Sequence, residues 1–357
     1  MLKPTAGKKQ KSFHHHRSRA VTKLSCKFTN VSTRKNLRAI IHTEYGPPEV
    51  ASMMEVAKPV PAKNEVLIKV HATTVNRTDC GFRSAEYFIS RFFSGLFKPK
   101  FKTLGNEFAG VIEVIGKDVT SFNIGDNVFG YNDKKFGAHA EYMTMRQDDP
   151  IAAMPHNLSY TEAAPITEGG HYALCDIRAA KVTAGQHVMV YGATGAIGSA
   201  AVQLLKYFGA RVTAVCNTKN IDLIKSLGAD IVIDYTTQDF TNTDQKFDFI
   251  FDAVGKSSFG QCKPLLNNNG IYISTELGKN AENIFLALTT PVFGGRKVLF
   301  PIPTISREDV NFLKELVETG RFKPVIDRYY NLEEIVEAYR YVESGQKTGN
   351  VVIRLIS

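Results

Sequence analysis

Cysteine is scarce in this sequence, which has five among its 357 residues. The five are widely separated: Cys26, Cys80, Cys175, Cys216 and Cys262. An odd number of distant cysteines argues against a disulfide framework and against a structural zinc lobe, which needs closely spaced cysteines. Also missing is any run of about 18 apolar residues, so the sequence predicts no membrane-spanning helix. The lack of a disulfide framework is typical of a chain that works in a reducing compartment.

Acidic residues are absent from the first 38 positions, which hold eleven Lys or Arg. The complete chain has 44 Lys and Arg, 35 Asp and Glu and a net charge of +9. Setting those eleven aside leaves 33 basic against 35 acidic residues. The positive charge therefore belongs to the N-terminal segment, and the rest of the chain gives no support for nucleic-acid binding.

Residues 1–36 also lack the apolar core of a secretory signal. Their Lys, Arg, His and Ser content resembles a mitochondrial presequence, most clearly between residues 17 and 24. A disordered basic extension explains the same composition. The sequence therefore predicts a cytoplasmic protein, with the mitochondrial matrix as the alternative if residues 1–36 are a presequence.

The clearest motif in the sequence is a strand, a tight turn and a helix in succession. Residues 188–191 form a short apolar run, as in a strand buried in a parallel sheet, and apolar residues recur at helical spacing over 197–208. Between them, Ala193, Gly195 and Gly198 match a small-residue form of the dinucleotide-binding fingerprint. The glycines let a backbone approach a pyrophosphate and the helix start offers free amides, so the turn predicts nucleotide binding. The predicted contacts are Thr194, Gly195, Ala196 and Ile197.

The residues after the next strand bear on which nucleotide is bound. An NAD site usually has an Asp or Glu about 20 residues after the glycines, where it holds the ribose hydroxyls. Here the corresponding segment, residues 216–220, has no carboxylate, and Lys219 is placed to meet a 2′-phosphate. The sequence therefore predicts NADP(H), with Asn217 and Lys219 at the adenosine end. A second interpretation is that Asn217 and Thr218 cap the helix that follows.

Periodicity divides the chain into two domains and predicts an α/β fold class. Residues 37–155 contain short strand-like runs with little helical periodicity, which predicts a β-rich domain. Residues 156–319 alternate strands and helices, as in a doubly wound parallel sheet, and residues 320–357 are predicted to return to the first domain. Gly169 and Gly170 are predicted to form a hinge between the domains.

Individual elements follow from the same patterns. Strands are predicted at residues 65–71, 109–115, 127–129, 139–145, 188–191, 212–215, 231–234, 247–251, 271–274, 298–300, 322–326 and 351–355. Helices are predicted at residues 197–208, 220–227, 257–266, 308–318 and 332–342. The strand at 298–300 is predicted to lie at an edge of the parallel sheet.

Several stretches resemble the medium-chain dehydrogenase/reductase superfamily, and they occur in the family's order. They are residues 75–79 (VNRTD), 105–111 (GNEFAGV), 125–128 (GDNV), 184–186 (AGQ) and 251–255 (FDAVG). The resemblance covers residues 38–357. It implies a GroES-like catalytic domain followed by a Rossmann domain.

The chain departs from the zinc alcohol dehydrogenases of that superfamily at the metal ligands. Those enzymes have Cys where this chain has Asn76 and His where it has Asn106, and their third ligand has no counterpart in residues 168–171. Asparagine is a poor Zn²⁺ ligand beside thiolate and imidazole, so no metal is expected, and Glu107 remains as a structural residue. The chain is similar instead to the zinc-independent branch, the NADPH quinone oxidoreductases and their enoyl-reductase relatives.

The resemblance implies three candidate catalytic residues. Asn76 offers an amide donor at a position that the quinone-reductase branch uses in its active site, although it is also suited to capping a turn. Tyr87 matches a tyrosine that lines the same pocket and can donate a proton or hydrogen-bond a developing enolate, with packing against Phe88 as the alternative. His171 takes the place of a Thr in the family and is either a proton relay, since imidazole titrates near neutrality, or a structural histidine.

Three further cofactor contacts follow from the resemblance. Tyr235 stands where family members place an aromatic residue near the adenosine, with a surface strand end as the alternative. Val254 lies in the matching stretch 251–255. Asn350 follows Gly349 in the last strand and is predicted to reach the nicotinamide end.

The residues and the resemblance together predict hydride transfer from NADPH to a quinone or an α,β-unsaturated carbonyl, without a metal. One alternative is a 2-enoyl thioester reductase, which needs a basic patch for its carrier's phosphates. Arg91, Lys98, Lys100 and Lys102 are the candidates for such a patch, although a run of basic residues is also typical of a solvated face. Another alternative is a nucleotide-binding interaction protein without activity. The edge strand at 298–300 predicts a homodimer, since family members often dimerise through this edge and so cover its open hydrogen bonds.

Overall fold

The computed structural model of the chain describes residues 36–85 and 91–355. Residues 1–35, and with them almost all of the predicted N-terminal extension, lie outside the described residues, and so does Tyr87. The described strands are β1 (Asn36–Ile41), β2 (Ser52–Ala57), β3 (Glu65–Val75), β4 (Glu107–Ile115), β5 (Asn127–Tyr131), β6 (Tyr142–Arg146), β7 (Ile151–Ala153), β8 (His187–Tyr191), β9 (Arg211–Cys216), β10 (Ile231–Asp234), β11 (Phe247–Asp252), β12 (Leu266–Ser274), β13 (Lys297–Leu299), β14 (Ile326–Asn331) and β15 (Asn350–Arg354). The described helices are α1 (Arg77–Ser84), α2 (Arg91–Ser94), α3 (Tyr160–Ala163), α4 (Thr167–Ala179), α5 (Ala196–Tyr207), α6 (Ile221–Ser226), α7 (Phe259–Cys262), α8 (Glu282–Phe293), α9 (Arg307–Glu318) and α10 (Ile335–Glu343).

One sheet combines strands from both ends of the chain. Its order is β14-β15-β3-β4-β5-β7, and β6 also pairs with β3. β15 runs antiparallel to β3, with Val351 opposite Val75. Ile68 on β3 and Phe108 on β4 are fully buried and pack in one core with Tyr339 of α10. The C-terminal strands thus complete the sheet that the N-terminal half begins.

Six parallel strands form the second sheet, in the order β10-β9-β8-β11-β12-β13. β8 and β11 are neighbours in the middle, and the chain builds outward from them in opposite directions. α5 follows β8 and buries one apolar face against the sheet, including Ala201, Leu204 and Leu205. In an open parallel sheet, ligands bind at the carboxyl ends of the strands where the order reverses, here between β8 and β11. The predicted α/β fold class is confirmed.

The predicted hinge at Gly169 and Gly170 is wrong, because both residues lie inside α4. A Cβ added at Gly169 would be 2.5 Å from the carbonyl oxygen of Ala196, and one added at Gly170 would be 2.8 Å from Cδ1 of Leu313. Side chains at these positions would collide with α5 and α9. The two glycines therefore serve close helix packing rather than bending.

Two predicted elements differ from the observed ones because of prolines. The helix predicted at 257–266 shortens to α7, since Pro264 lies in the turn that follows it and Leu266 already pairs in β12. The strand predicted at 322–326 is also wrong, since β14 begins only at Ile326. Pro324 has no backbone N–H to donate to a ladder, which disfavours a strand there.

α8 had no counterpart among the predicted helices. It contains Pro291, and apolar residues occur on all its sides. Phe285, Leu288 and Val292 are exposed on its surface. Nowhere in the described part of the chain is a helix long and apolar enough to cross a bilayer.

Candidate active site

The turn between β8 and α5 has the geometry of a phosphate site. Gly195 is the N-cap residue of α5, and no side chain caps the helix there. A Cβ added at Gly198 would lie 2.2 Å from the carbonyl oxygen of Gly192, so the fold itself requires that glycine. At Gly195 the nearest atom to an added Cβ is 3.9 Å away, so packing does not explain the glycine. The open space and the uncapped amides of Ala196 and Ile197 fit a ligand's pyrophosphate.

Two other segments close on this phosphate turn, residues 194–197. The amide of Gly349 donates to the carbonyl oxygen of Thr194 at 2.6 Å, which ties the start of β15 to the turn. On another side, the backbone of Gly169 in α4 meets the carbonyl oxygen of Ala196. The turn is therefore held between α4 and the start of β15.

Val254 and Asn350 flank the same turn. A Cβ added at Gly192 would be 2.5 Å from Cγ2 of Val254, which therefore covers the end of β8. Asn350 donates to the carbonyl oxygen of Val325 from its backbone amide at 2.8 Å and from its side chain at 2.9 Å. One side-chain N–H of Asn350 is thus used within the fold, and contact of this residue with nicotinamide stays a prediction.

The ends of β9 and β10 bring together the residues predicted to contact the adenosine. Lys219 is exposed, and no other described residue pairs with its ammonium group. Tyr235 is 50% exposed. Asn217 stands at the N-cap position of the turn that leads into α6, but its Oδ1 accepts from the side chain of Asn220 at 2.7 Å and caps no backbone amide, so the capping interpretation is not supported. Sequence reasoning missed Asp234, whose carboxylate accepts a hydrogen bond from Thr218 at 2.6 Å because β10 lies beside β9.

Asn76, Asn106 and Glu168 form a buried hydrogen-bonded group, called here the amide–glutamate group. Asn76 caps α1, where its Oδ1 accepts from the amide of Asp79 at 2.9 Å. Its Nδ2 donates to Oδ1 of Asn106 at 2.7 Å. Nδ2 of Asn106 donates to the hydroxyl of Tyr131 at 2.9 Å and to Oε2 of Glu168 at 3.3 Å. The two asparagines at the expected metal-ligand positions are therefore bonded to each other and to a carboxyl group.

Glu107 fastens α4 to the first sheet. Its Oε1 accepts from the amide of Glu168 at 2.5 Å and from the hydroxyl of Thr167 at 3.0 Å. Its Oε2 accepts from the hydroxyl of Thr74 at 2.6 Å. Burial raises the pKa of Glu107 to about 8, although these hydrogen bonds act in the opposite direction. The contacts agree with a structural role.

Glu168 is a second residue of the site that sequence reasoning missed. It is 3% exposed, and Thr78 donates a hydrogen bond from Oγ1 to its Oε1 at 2.6 Å. Burial raises the pKa of Glu168 to about 7, while the hydrogen bonds from Thr78 and Tyr131 lower it. A signal was present in the sequence, because Glu168 is the one carboxylate in residues 163–170, an otherwise small and apolar segment.

His171 is packed as a neutral side chain. Its Nδ1 lies 2.8 Å from the carbonyl oxygen of Thr167, one turn earlier in α4. Its ring packs against Tyr131 and Tyr172, with centroid distances of 4.5 and 4.6 Å. Burial lowers the pKa of His171 to about 4, which keeps the ring uncharged near pH 7. Its role as a proton relay stays a prediction.

The residues present fit a dinucleotide and do not fit zinc. In residues 36–85 and 91–355, no three His, Cys, Asp or Glu side chains are grouped to hold a metal ion. The amide–glutamate group offers two amides and one carboxylate, whereas Zn²⁺ takes thiolate, imidazole and carboxylate ligands. The phosphate turn, with its glycine that packing does not explain, has the open space and amides that a pyrophosphate needs.

The fold and this site define a dehydrogenase or reductase built from a GroES-like sheet and a Rossmann sheet. Residues 62–156 match the family described as alcohol dehydrogenase GroES-like domain, and residues 227–353 match the family described as zinc-binding dehydrogenase. The chain belongs to the medium-chain dehydrogenase/reductase superfamily, in its quinone oxidoreductase-like branch. The predicted family is confirmed.

Similar proteins extend over nearly the whole chain. The 2-methylene-furan-3-one reductase of Solanum lycopersicum is 32% identical over 340 residues, which cover 92% of this chain and 81% of the relative. The chloroplastic NADPH-dependent alkenal/one oxidoreductase of Arabidopsis thaliana is 28% identical over 336 residues, covering 91% and 81%. The solved structure of the quinone oxidoreductase from Coxiella burnetii is 28% identical, with a TM-score of 0.81 and coverage of 90% of this chain and 100% of that one.

Proposed function

We propose that this oxidoreductase transfers a hydride from NADPH to a quinone or to the conjugated double bond of an unsaturated carbonyl, without a metal ion. The relatives described above are named as a furanone reductase, an alkenal/one oxidoreductase and a quinone oxidoreductase. The observation that carries the proposal is the amide–glutamate group. Where zinc alcohol dehydrogenases have metal ligands, this chain has side chains hydrogen-bonded to one another. Hydrogen-bond donors then stabilise charge on the acceptor's oxygen in place of a Lewis acid.

The cofactor side of the proposal is NADP(H). When bound, it supplies the hydride, and the amides of Ala196 and Ile197 hold its pyrophosphate. Lys219 is our reason to prefer the phosphorylated form, because its exposed ammonium group is available to a 2′-phosphate. Asp234 favours NAD instead, but hydroxyl groups of Thr218 and Thr236 already donate to its carboxylate.

The acceptor side of the proposal depends on hydrogen-bond donors. Asn76 uses one side-chain N–H on Asn106 and retains a second, which can bind the acceptor's oxygen as negative charge develops. Tyr87 remains the predicted second donor. Alignment of the acceptor over the hydride source, and exclusion of water around it, account for the rest of the rate.

NADPH consumption by the purified full-length chain tests this function directly. Phenanthrenequinone, but-3-en-2-one and a crotonyl thioester are offered as acceptors in turn. NADPH oxidation with phenanthrenequinone or but-3-en-2-one supports the proposal. NADPH oxidation with the thioester alone indicates an enoyl thioester reductase. NADPH oxidation with none of the three acceptors indicates a nucleotide-binding protein without activity. Gly195→Asp should abolish turnover, because its carboxylate enters the phosphate position, whereas Gly260→Asp on the exposed side of α7 should not.

A second copy of this chain is the proposed partner. β13 is a short strand at the edge of the parallel sheet. Beside it, α8 exposes Phe285, Leu288 and Val292 by 66%, 72% and 79%. An apolar surface next to an open strand edge is typical of a subunit interface, which covers both.

The domain boundaries and the compartment stay predictions. Membership of β14 and β15 in the first sheet supports a GroES-like domain at 37–155 completed by 320–357, with the Rossmann domain at 156–319. The expected compartment is the cytoplasm, or the mitochondrial matrix if residues 1–36 are a presequence. Fluorescence imaging of the full chain, and of a chain without residues 1–36, distinguishes the cytoplasm from the mitochondrial matrix.

A further inference from the structure

A chain of hydrogen-bonding side chains leads from two half-buried residues, Thr78 and Tyr172, to the buried carboxyl group of Glu168. Thr78 donates from Oγ1 to Oε1 of Glu168 at 2.6 Å, and the hydroxyl of Tyr172 lies 3.4 Å from Oγ1 of Thr78. Thr78 and Tyr172 are partly exposed, whereas Glu168 is 3% exposed. The carboxyl group is therefore largely shielded from bulk water and bonds to the hydroxyl of Thr78.

This chain of groups stands beside the phosphate turn. Glu168 directly precedes Gly169, whose backbone meets the carbonyl oxygen of Ala196 at the start of α5. Tyr172 follows one turn later on α4, and Thr78 lies in the first turn of α1. The hydroxyls are thus at the junction of the two sheets, where the proposed reaction takes place.

The charge state of Glu168 depends on groups from several elements. Those that act on it are Asp79 of α1, Glu107 of β4, Tyr131 of β5, Tyr172 of α4 and Lys347, which precedes β15. Burial raises the pKa of Glu168, Asp79 raises it further, and Lys347 lowers it, so that it lies at about 7. Near neutral pH the acid is therefore able both to hold a proton and to give it up.

Protonation of Glu168 changes what the hydroxyl of Thr78 is able to do. A threonine hydroxyl has one proton to donate and accepts through its lone pairs. When Glu168 is ionised, the hydroxyl of Thr78 donates its one hydrogen bond to the carboxylate. With Glu168 protonated, the carboxyl group donates to Thr78, and the threonine proton is free to point outward.

We propose that Glu168 is the proton reservoir of the reductive step and acts through the hydroxyl of Thr78. The inference rests on the proposed function. Hydride addition to the conjugated bond brings two electrons and one hydrogen to the acceptor and leaves an anion. The O–H bond of Thr78 then breaks as its proton forms the new bond to that anion, and the O–H bond of Glu168 breaks to restore the threonine hydroxyl. Glu168 regains its proton from solvent, so the net change is one hydride and one proton added to the acceptor.

Glu168→Gln is the main test, because glutamine keeps the shape and hydrogen bonding of the acid and cannot pass on a proton. The turnover number with the enone should fall by about 100-fold with little change in KM, as for loss of a general acid. The wild-type turnover number should decline as pH rises through about 7, where Glu168 ionises, and this decline should be missing from the variant. Glu315→Gln, an exposed glutamate of α9, is the matched control and should match wild type.

Two further measurements keep the test decisive if Glu168→Gln folds poorly. Thr78→Val should lower the turnover number as much as Glu168→Gln does. Thr78→Ser, which keeps a hydroxyl, should have a turnover number close to that of the wild type. In infrared difference spectra of the protein without cofactor, the protonated carboxyl band at pH 6 should lose intensity in Glu168→Gln and keep its full intensity in Glu315→Gln, while Glu107 contributes to the band in every variant.

The outcomes separate this inference from the function on which it rests. A wild-type chain that oxidises no NADPH with any acceptor contradicts the proposed function and leaves the relay with no reaction to serve. An active wild type, together with a glutamine variant of unchanged turnover and unchanged pH profile, overturns the relay alone. Thr78→Val at wild-type rates also overturns it.

Discussion

The backbone of Gly169 on α4 lies against the carbonyl oxygen of Ala196 at the start of α5, so closely that an added Cβ would be 2.5 Å from that oxygen. This contact places Glu168 next to the phosphate turn. It also joins the two functional parts of the molecule, the buried hydrogen-bonded group and the nucleotide turn, through a single helix-to-helix approach.

Gly169→Ala should therefore destabilise the chain and weaken NADPH binding together. The added methyl group would collide with backbone atoms, which cannot rotate away as a side chain can, so α4 must move away from α5. This shift should lower the free energy of unfolding by about 1–3 kcal/mol. Denaturant titration and NADPH fluorescence measure the two effects. Gly81→Ala in α1 is the control, since no atom lies within 4 Å of its added Cβ, and helix propensity should then raise stability by about 0.5–1 kcal/mol. Equal stability of the two variants would contradict the close approach.

Lys219→Ala should raise the KM for NADPH by about tenfold or more, the effect of losing one charge-assisted hydrogen bond. The KM for NADH should hardly change, because NADH has no 2′-phosphate. Steady-state kinetics with both cofactors measure this, and Lys225→Ala, an exposed lysine of α6, is the control. Equal changes for the two cofactors would remove the assignment of Lys219 and point to Asp234 as the residue that selects the nucleotide.

Metal analysis of the purified chain should find well under one zinc per chain, and chelators should not inhibit it. Asn76→Cys combined with Asn106→His should create zinc affinity, because Glu168 already faces Asn106 and would supply a third ligand. Elemental analysis of both proteins after dialysis measures this. One tightly held zinc in the wild type would contradict our interpretation of the two asparagines.

The stability of the wild type should fall, relative to Glu107→Gln, as the pH rises. Burial raises the pKa of folded Glu107 from 4.5 to about 8. Between those pH values the folded chain holds a proton that the unfolded chain has released, so stability is lost as pH rises, by up to about 1.4 kcal/mol per pH unit. Glutamine resembles the protonated acid and removes this dependence.

Denaturant titrations from pH 5 to pH 9 measure that difference. The two proteins should have similar stability at pH 5 and should diverge up to pH 8. Glu55→Gln, an exposed glutamate of β2, should follow the wild type throughout. Parallel curves for wild type and Glu107→Gln would show that this carboxyl group ionises normally.

Leu288→Lys should convert the proposed dimer into a monomer. The leucine is 72% exposed on the apolar face of α8, where a charge would be desolvated by a partner subunit. Sedimentation at micromolar protein measures the state of assembly. Ile124→Lys is the matched control, since Ile124 is 64% exposed on the other sheet's side of the chain and should leave the dimer intact. A monomeric wild type would rule out the dimer.

Much of the fold could be predicted because its signals are local. The apolar run of β8, the glycines of the turn and the helical spacing of α5 are all within residues 187–207, and the observed elements agree to within a residue. Elements without a local signature were missed. The hairpin of β1 and β2 has no such signature, and neither has α8, because its apolar residues are spread around the helix and form no single face.

The site was predicted only where residues neighbouring in sequence make it. The phosphate turn is such a place. Glu168 and Asn106 are 62 positions apart, and Thr218 and Asp234 are 16 apart, and no spacing rule relates either pair. Both pairs were overlooked.

By itself, the sequence determined the α/β class, the superfamily and the nucleotide turn, because hydrophobic period and glycine conformation act over a few residues. Only the tertiary structure decided that α4 packs on α5 through Gly169 and brings Glu168 to the two asparagines. Such a meeting depends on how closely helices approach and on which side chains are buried together, and these are properties of the packed chain.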